Sequence, residues 1–358
     1  DEVLGWHLLG IHNMTFYHRL MSEMRASILR DEFAAYYEMK RGELARIDGE
    51  NPGRPPKKTR ISRLARLGDY EIHKSAGDFY SIRQVSSGEL MHSVTAPSEE
   101  ATKLYIEQSL LAARLLKQEA SADELIIWDV GLGAASNAMA AIQCFERSYA
   151  QAGEAALRAV RLLSFERDLD SLILAAKHPA CFPHLRHGAP FKLLENGDWS
   201  HPSGLLQWLL LKGDFPDSIG SAPVPDLIYY DPFSYKTDSA LWTGSVFAEI
   251  FDRCSTKSAE LYTYSSSTAV RVAFLSAGFF VAQGAGTGPK LETTIAFTRA
   301  EGHAYHPLAP PLLGREWLQR WRRSGAKFPV AISDEGKLQV ERLIESHRQF
   351  CERGSETD

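Results

Sequence analysis

Residues 126–135 read I-I-W-D-V-G-L-G-A-A, an apolar run closed by Asp129 and followed by Gly131 and Gly133. Ser136 to Ser148 continues with apolar side chains at helical spacing. A strand, a glycine turn and a helix in succession form a nucleotide-binding start: the turn lets a ligand approach the backbone, and the helix N-terminus favours negative charge. Three further carboxylates close apolar runs: Glu166 in L-L-S-F-E-R-D, Asp198 in L-L-E-N-G-D-W and Asp231 in L-I-Y-Y-D-P-F. One glycine turn is weak evidence. Acids at three successive strand ends repeat the C-terminal edge of a doubly wound sheet, where such folds bind ligands.

The chain has 358 residues, enough for one large domain with extensions or for two domains. Its 44% hydrophobic and 24% charged residues are those of an ordinary soluble globular protein. A net charge of −5 predicts no bulk affinity for nucleic acid, so such affinity has to come from local patches. Cys144, Cys181, Cys254 and Cys351 are far apart in sequence, so neither a disulfide framework nor a metal site is expected. No apolar run reaches membrane-spanning length and no signal peptide is present, which predicts a cytoplasmic location.

Composition divides the chain into residues 1–48, dense in helix formers, a basic proline-rich linker at 49–69, an alternating strand–helix region at 70–300, and a helical tail at 301–358. Strands are predicted at 125–130, 159–166, 191–196, 225–231, 258–264, 279–284 and 293–298. Helices are predicted at 134–150, 168–177, 203–212, 239–254 and 268–277, with Asp168 and Thr268 as N-caps and Gly278 as a C-cap. Repeated strand–helix pairs point to an α/β fold with a parallel sheet. The last two strands are joined by G-A-G-T-G-P-K, too short for a helical crossover, and must pair antiparallel. A mostly parallel seven-stranded sheet ending in that hairpin is the topology of class I S-adenosylmethionine-dependent methyltransferases, a Rossmann-like fold. Ahead of it, residues 70–83 alternate as a small hairpin would, and Glu99 to Leu116 reads as helical.

An adenosyl cofactor makes specific demands on such an edge. Gly131 and Gly133 lack the Cβ that would block close approach. Glu166 sits where an acid accepts both ribose hydroxyls, and Asp198 where one meets the adenine amino group. Asp129 either faces the amino-acid end of the cofactor or holds the loop. Asp231 is placed for chemistry. An alkyl amine has an unperturbed pKa near ~10, and a carboxylate can orient it and take its proton. Tyr230, Phe233 and Trp242 offer stacking faces for a flat base, with core packing as the alternative.

With those residues placed, the region 70–300 resembles the methyltransferase domain of the MnmC family, through D-V-G-L-G-A-A-S-N at 129–137, L-S-F-E-R-D at 163–168, N-G-D-W at 196–199, D-L-I-Y-Y-D-P-F at 226–233 and L-Y-T-Y-S-S-S-T at 261–268. The resemblance implies S-adenosylmethionine as cofactor, tRNA as partner, and N-methylation of an aminomethyl group on uridine 34. It also implies that Glu166 and Asp198 bind cofactor and that Asp231 serves the acceptor amine. This chain departs from the family at the acceptor loop, with D-P-F-S-Y-K-T-D-S for the usual D-G-F-A-P-A-K-N-P, and at the hairpin, where Lys290 and Glu292 remain of a more basic stretch. Lys290 is carried as a substrate contact. No glycine fingerprint follows Arg299, so the family's FAD-dependent oxidoreductase half is not expected.

The segment 8–33, L-L-G-I-H-N-M-T-F-Y-H-R-L-M, continuing to Phe33, resembles the C-terminal end of a tRNA-guanine transglycosylase. His12 matches that family's zinc-ligating histidine, but the partner cysteines are missing here, so no metal is expected. With Asp1 in place of an initiator Met, this suggests part of a fusion with an upstream transglycosylase-like domain. The linker cations Arg54, Lys57, Lys58, Arg60, Arg63 and Arg66, and the tail cluster around Arg320, suit phosphate contacts or a solvated face. Trp317 and Trp321 suit a helix packed on the domain. Two other readings compete with a tRNA methyltransferase: a catalytically silent tRNA-binding scaffold, motivated by the altered loop, and a nicotinamide-dependent oxidoreductase. The hairpin and Ala135–Ser136, in place of a third glycine, disfavour the second.

Overall fold

The computed structural model describes residues 2–44, 65–75, 77–92, 95–117, 123–287, 291–304, 306–308, 310–325, 327–329 and 332–351. The chain divides into two units, 1–62 and 63–358. The first consists, among its described residues, of helices Glu2–Leu29 and Phe33–Leu44. Their turn is closed by the Asp31 amide donating to the Ile28 carbonyl at 3.0 Å. Glu23 ties the two helices together, accepting from Tyr36 Oη at 2.9 Å and pairing with Lys40 at 3.2 Å. His12 is exposed on the first helix.

The second unit opens with a small antiparallel sheet, β1 (Arg66–Leu67), β2 (Tyr70–Lys74) and β3 (Tyr80–Gln84). Eight strands then form the main sheet: β4 (Leu125–Val130), β5 (Val160–Glu166), β6 (Asp198–Ser200), β7 (Leu206–Lys212), β8 (Leu227–Tyr230), β9 (Glu260–Thr263), β10 (Phe280–Ala285) and β11 (Glu292–Phe297). Their spatial order is β10-β11-β9-β8-β4-β5-β7-β6. The five strands β7, β5, β4, β8 and β9 run parallel, and β11 is antiparallel to both β9 and β10, which gives the expected terminal hairpin. Alternate residues of β4 feed opposite cores. Leu125 and Ile127 pack on one face, Ile126, Trp128 and Val130 on the other, as in a sheet covered on both sides.

Two sequence assignments fail together. Residues 191–196 form a helix, Ala189–Asn196, and 206–212, read as part of a helix, is the third parallel strand. The helix has Pro190 in its first turn and Gly197 past its end at φ +82°, the ordinary pair of start and stop signals. The strand Leu-Gln-Trp-Leu-Leu-Leu-Lys is apolar nearly throughout because both its faces are covered, so a period-two signature is lost. The short β6 pairs antiparallel with β7 at the sheet edge. Predicted helix 239–254 shortens to Gly244–Arg253 behind a single turn at Ser239–Trp242. In the tail, helix Arg315–Arg323 buries Trp317 and Trp321 in the second core, and Trp317 stacks on Phe350 at 6.1 Å.

Candidate active site

A cavity of about 610 Å³ opens at the C-terminal ends of β4, β5, β7 and β8, lined by Gly131–Ala134, Glu166–Asp168, Gly213–Pro216 and Asp231–Ser234. Gly131 (φ +88°) lies against the backbone after β8. A Cβ there would stand 2.8 Å from the Asp231 carbonyl oxygen and 2.9 Å from Pro232 Cα. Only glycine permits that approach. Gly133, at φ +52°, donates its amide to Glu166 Oε2 at 3.1 Å, and the Asp168 amide donates to Oε1 at 3.0 Å. Burial raises the Glu166 pKa, while these amides pull it back down. The carboxylate therefore bridges the turns after β4 and β5.

Asp231 stands across the cavity. Its amide donates to Val130 at 2.9 Å, and Asn137 Nδ2 donates to its Oδ2 at 2.8 Å. Desolvation raises its pKa to about 6, opposed by the nearby His92 and by the Asn137 hydrogen bond. A carboxyl with that pKa is ionised at neutral pH and stands closer to a proton acceptor's working range than an exposed aspartate. Ser136 Oγ and Asn137 Oδ1, both on the cavity wall at the start of helix Ser136–Ala152, are buried with no hydrogen-bond partner among the described residues.

Several expected site residues stand elsewhere. Asp198 is exposed on the edge strand β6, paired with Leu209, and does not reach the cavity; the position past the third parallel strand belongs to Gly213 and Asp214. Asp129 is fully buried beneath the turn, accepting from Ser164 Oγ at 2.6 Å, which in turn accepts from Trp208 Nε1 at 2.8 Å. Desolvation pushes its pKa up to about 7. Of its two possible roles, the geometry fits holding the loop. Tyr230 is fully buried, its hydroxyl donating to the Leu241 carbonyl, and Trp242 is buried with Nε1 donating to Phe233 O at 2.7 Å. Both are packing residues behind the loop, not stacking faces. Phe233 does line the cavity, with its ring parallel to Tyr70 at 6.5 Å between centroids. Lys290 lies outside the described residues, as do all the linker cations but Arg66. In the tail, Arg322 pairs with Glu345, and Lys327 with Glu341 at 2.8 Å, so these two cations are held in surface ion pairs.

The second unit's N-terminal layer supplies residues that sequence reasoning missed. His92 and Glu100 line the cavity with His92 Nδ1 3.0 Å from Glu100 Oε2. Tyr70 and Glu89 also face it. None of these lies at a strand end of the main sheet, where the search for acids was directed. Asp214 was findable: L-L-L-K-G-D ends like the other strand-end acids.

The comparisons with known proteins agree with this geometry. Residues 209–299, which include β8, the loop after it and the hairpin, match the family described as S-adenosyl-L-methionine-dependent methyltransferase. Within the second unit, that match falls on a sheet with the class I methyltransferase topology. Residues 1–45 match the family described as Queuine tRNA-ribosyltransferase. Among solved structures, MNMC2 from Aquifex aeolicus is similar over 79% of this chain and 85% of its own, at 23% identity and a TM-score of 0.57. Precorrin-6Y C5,15-methyltransferase from Geobacter metallireducens overlaps 53% of this chain and 85% of its own, at 16% identity and a TM-score of 0.28. No curated protein matches the chain.

The residues fit the cofactor. The unpartnered Ser136 Oγ and Asn137 Oδ1 lie where a polar ligand would satisfy them, and the acids around the cavity suit a cationic sulfonium. When bound, S-adenosylmethionine supplies an electrophilic methyl group on sulfur. Glu166 and Gly213–Pro216 line the same cavity and would flank such a cofactor.

Proposed function

We propose that the second unit transfers a methyl group to an alkyl amine on tRNA, the aminomethyl group of the wobble uridine, U34. The observation that carries this reading is Asp231, a desolvated carboxylate beside the cofactor turn and held by Asn137. Asp231 would take the proton of an ammonium acceptor and orient its freed nitrogen lone pair toward the methyl group, which S-adenosylmethionine would supply with its thioether as the leaving group. The wall around Asp231 favours a cation over a phosphate: among the described residues that line it, Glu89, Glu100, Asp168 and Asp238 stand against one arginine, Arg167. The similarity to MNMC2 and the N-terminal match to a queuine tRNA-ribosyltransferase family support tRNA as the substrate, and a chain joining two tRNA-modifying activities.

The test is tritium transfer from labelled S-adenosylmethionine to bulk tRNA lacking this methyl group, followed by nucleoside analysis. A labelled methylaminomethyl uridine is expected. Label confined to another nucleoside would refute the acceptor; cofactor binding without any transfer would favour the silent scaffold.

A further inference from the structure

The loop after β8 is not held by its own sheet alone. Glu89, which follows the turn after β3 at Gly88 (φ +73°), accepts three hydrogen bonds from it: Ser234 N at 2.8 Å, Ser234 Oγ at 2.8 Å, and Thr237 Oγ1. A second grip comes from the parallel ring pair Tyr70–Phe233. Glu89 itself is fixed, because its carbonyl accepts from Gln84 N at 2.9 Å in the return of β3. Within the loop, the amides of Thr237 and Asp238 both donate to Ser234 O at 2.8 Å, so residues 234–238 move as one turn. Pro232, Phe233, Ser234, Thr237 and Asp238 all line the cavity.

We propose that Glu89 is a positioning residue that latches this loop, fixing the wall against which the acceptor lies and so setting acceptor affinity. Asp231 does not depend on the latch, since its own anchors are Val130 and Asn137. Nor does the cofactor turn, which is held by Glu166. The loop's two hydroxyl donors, Ser234 and Thr237, converge on one oxygen of this carboxylate, Oε2, while the Ser234 amide takes the other. A carboxylate accepting three hydrogen bonds is a strong local constraint, and its removal leaves the Ser234 amide unpartnered. The inference rests on the reading of an acceptor beside Asp231.

Amide hydrogen exchange and steady-state kinetics test it together. In Glu89→Ala the Ser234 amide should exchange at least about tenfold faster, and the KM for tRNA should rise by about tenfold or more, with kcat within roughly threefold and S-adenosylmethionine affinity unchanged by calorimetry. Thr237→Val, which deletes one donor at nearly constant volume, should give a smaller rise of the same kind, and Glu89→Gln an intermediate one. Glu71→Gln loses the ion pair with Arg83 in the same small sheet, away from the cavity, and should change neither KM nor exchange at Ser234. Unchanged exchange at Ser234 in Glu89→Ala would overturn the latch, as would faster exchange with KM unaltered. A wild-type protein that methylates no tRNA would sink the acceptor reading instead, and the exchange measurement, which needs no acceptor, still decides whether Glu89 holds the loop.

Discussion

The two sides of the cavity are built by different means. On the cofactor side, backbone amides, glycines and one carboxylate meet at the ends of adjacent parallel strands, and each contact joins turns that follow neighbouring strands. On the acceptor side, a loop is clamped by side chains from the small N-terminal sheet: Glu89 reaches Ser234 across 145 residues of sequence. The first arrangement tolerates little, because backbone has no room to yield. The second rests on side chains, which can be exchanged in matched pairs without moving the backbone.

The largest expected effect is therefore at Gly131. In Gly131→Ala the new Cβ would meet backbone, and φ +88° is strained for any L side chain, so a loss of about 3 kcal/mol in stability is expected, together with loss of cofactor binding. Thermal unfolding and calorimetry would read both; cofactor binding at wild-type strength would show that the two turns can separate freely.

Asp231→Asn comes next, with methyl transfer down by roughly 100-fold or more and cofactor affinity kept. In the wild type the rate should fall as pH drops through about 6, where Asp231 takes up a proton. The asparagine variant should lack that limb. A matching limb in both would assign it to another group.

Glu166→Ala and Asp214→Ala should weaken S-adenosylmethionine by about tenfold or more and by several-fold respectively, whereas the exposed Asp198→Ala should leave it unchanged. A weaker Asp198→Ala variant would restore the sequence-based assignment. The last effect is read in stability alone and concerns Asp129. Its folded pKa of about 7 lies above the ordinary 3.8, so the native state binds the extra proton and stability declines as pH rises from about 4 to 7, by on the order of 4 kcal/mol for full ionisation. Asp129→Asn should flatten that part of the pH–stability profile, and an unaltered slope would place it in other groups, of which Asp231 is the nearest candidate.

Much of this was legible in the sequence because it depends on neighbours in the chain. The turn 131–133, Glu166 and Asp231 each follow an apolar run, and a hairpin with too short a connection has to be antiparallel. The exchange of strand and helix over 189–212 was not legible from periodicity, since Leu206–Lys212 is apolar nearly throughout and a helix of eight residues is too short to show a repeat; the Ala-Pro start and glycine stop were the signal that mattered. That exchange moved the third acid from Asp198 to Asp214.

The roles of Tyr230, Trp242, Glu89 and His92 needed the tertiary structure. An aromatic after a strand can face a ligand or the core with equal local justification, and here the Trp242 indole turns inward to hold Phe233 O. By itself the sequence determined strands β4, β5, β8 and β9, the terminal hairpin and the cofactor turn, because these follow from chain-local sterics and connection lengths. Only the tertiary structure decided which walls close the acceptor side, because those walls are hydrogen bonds between segments that are remote in the chain and meet only once the sheet has formed.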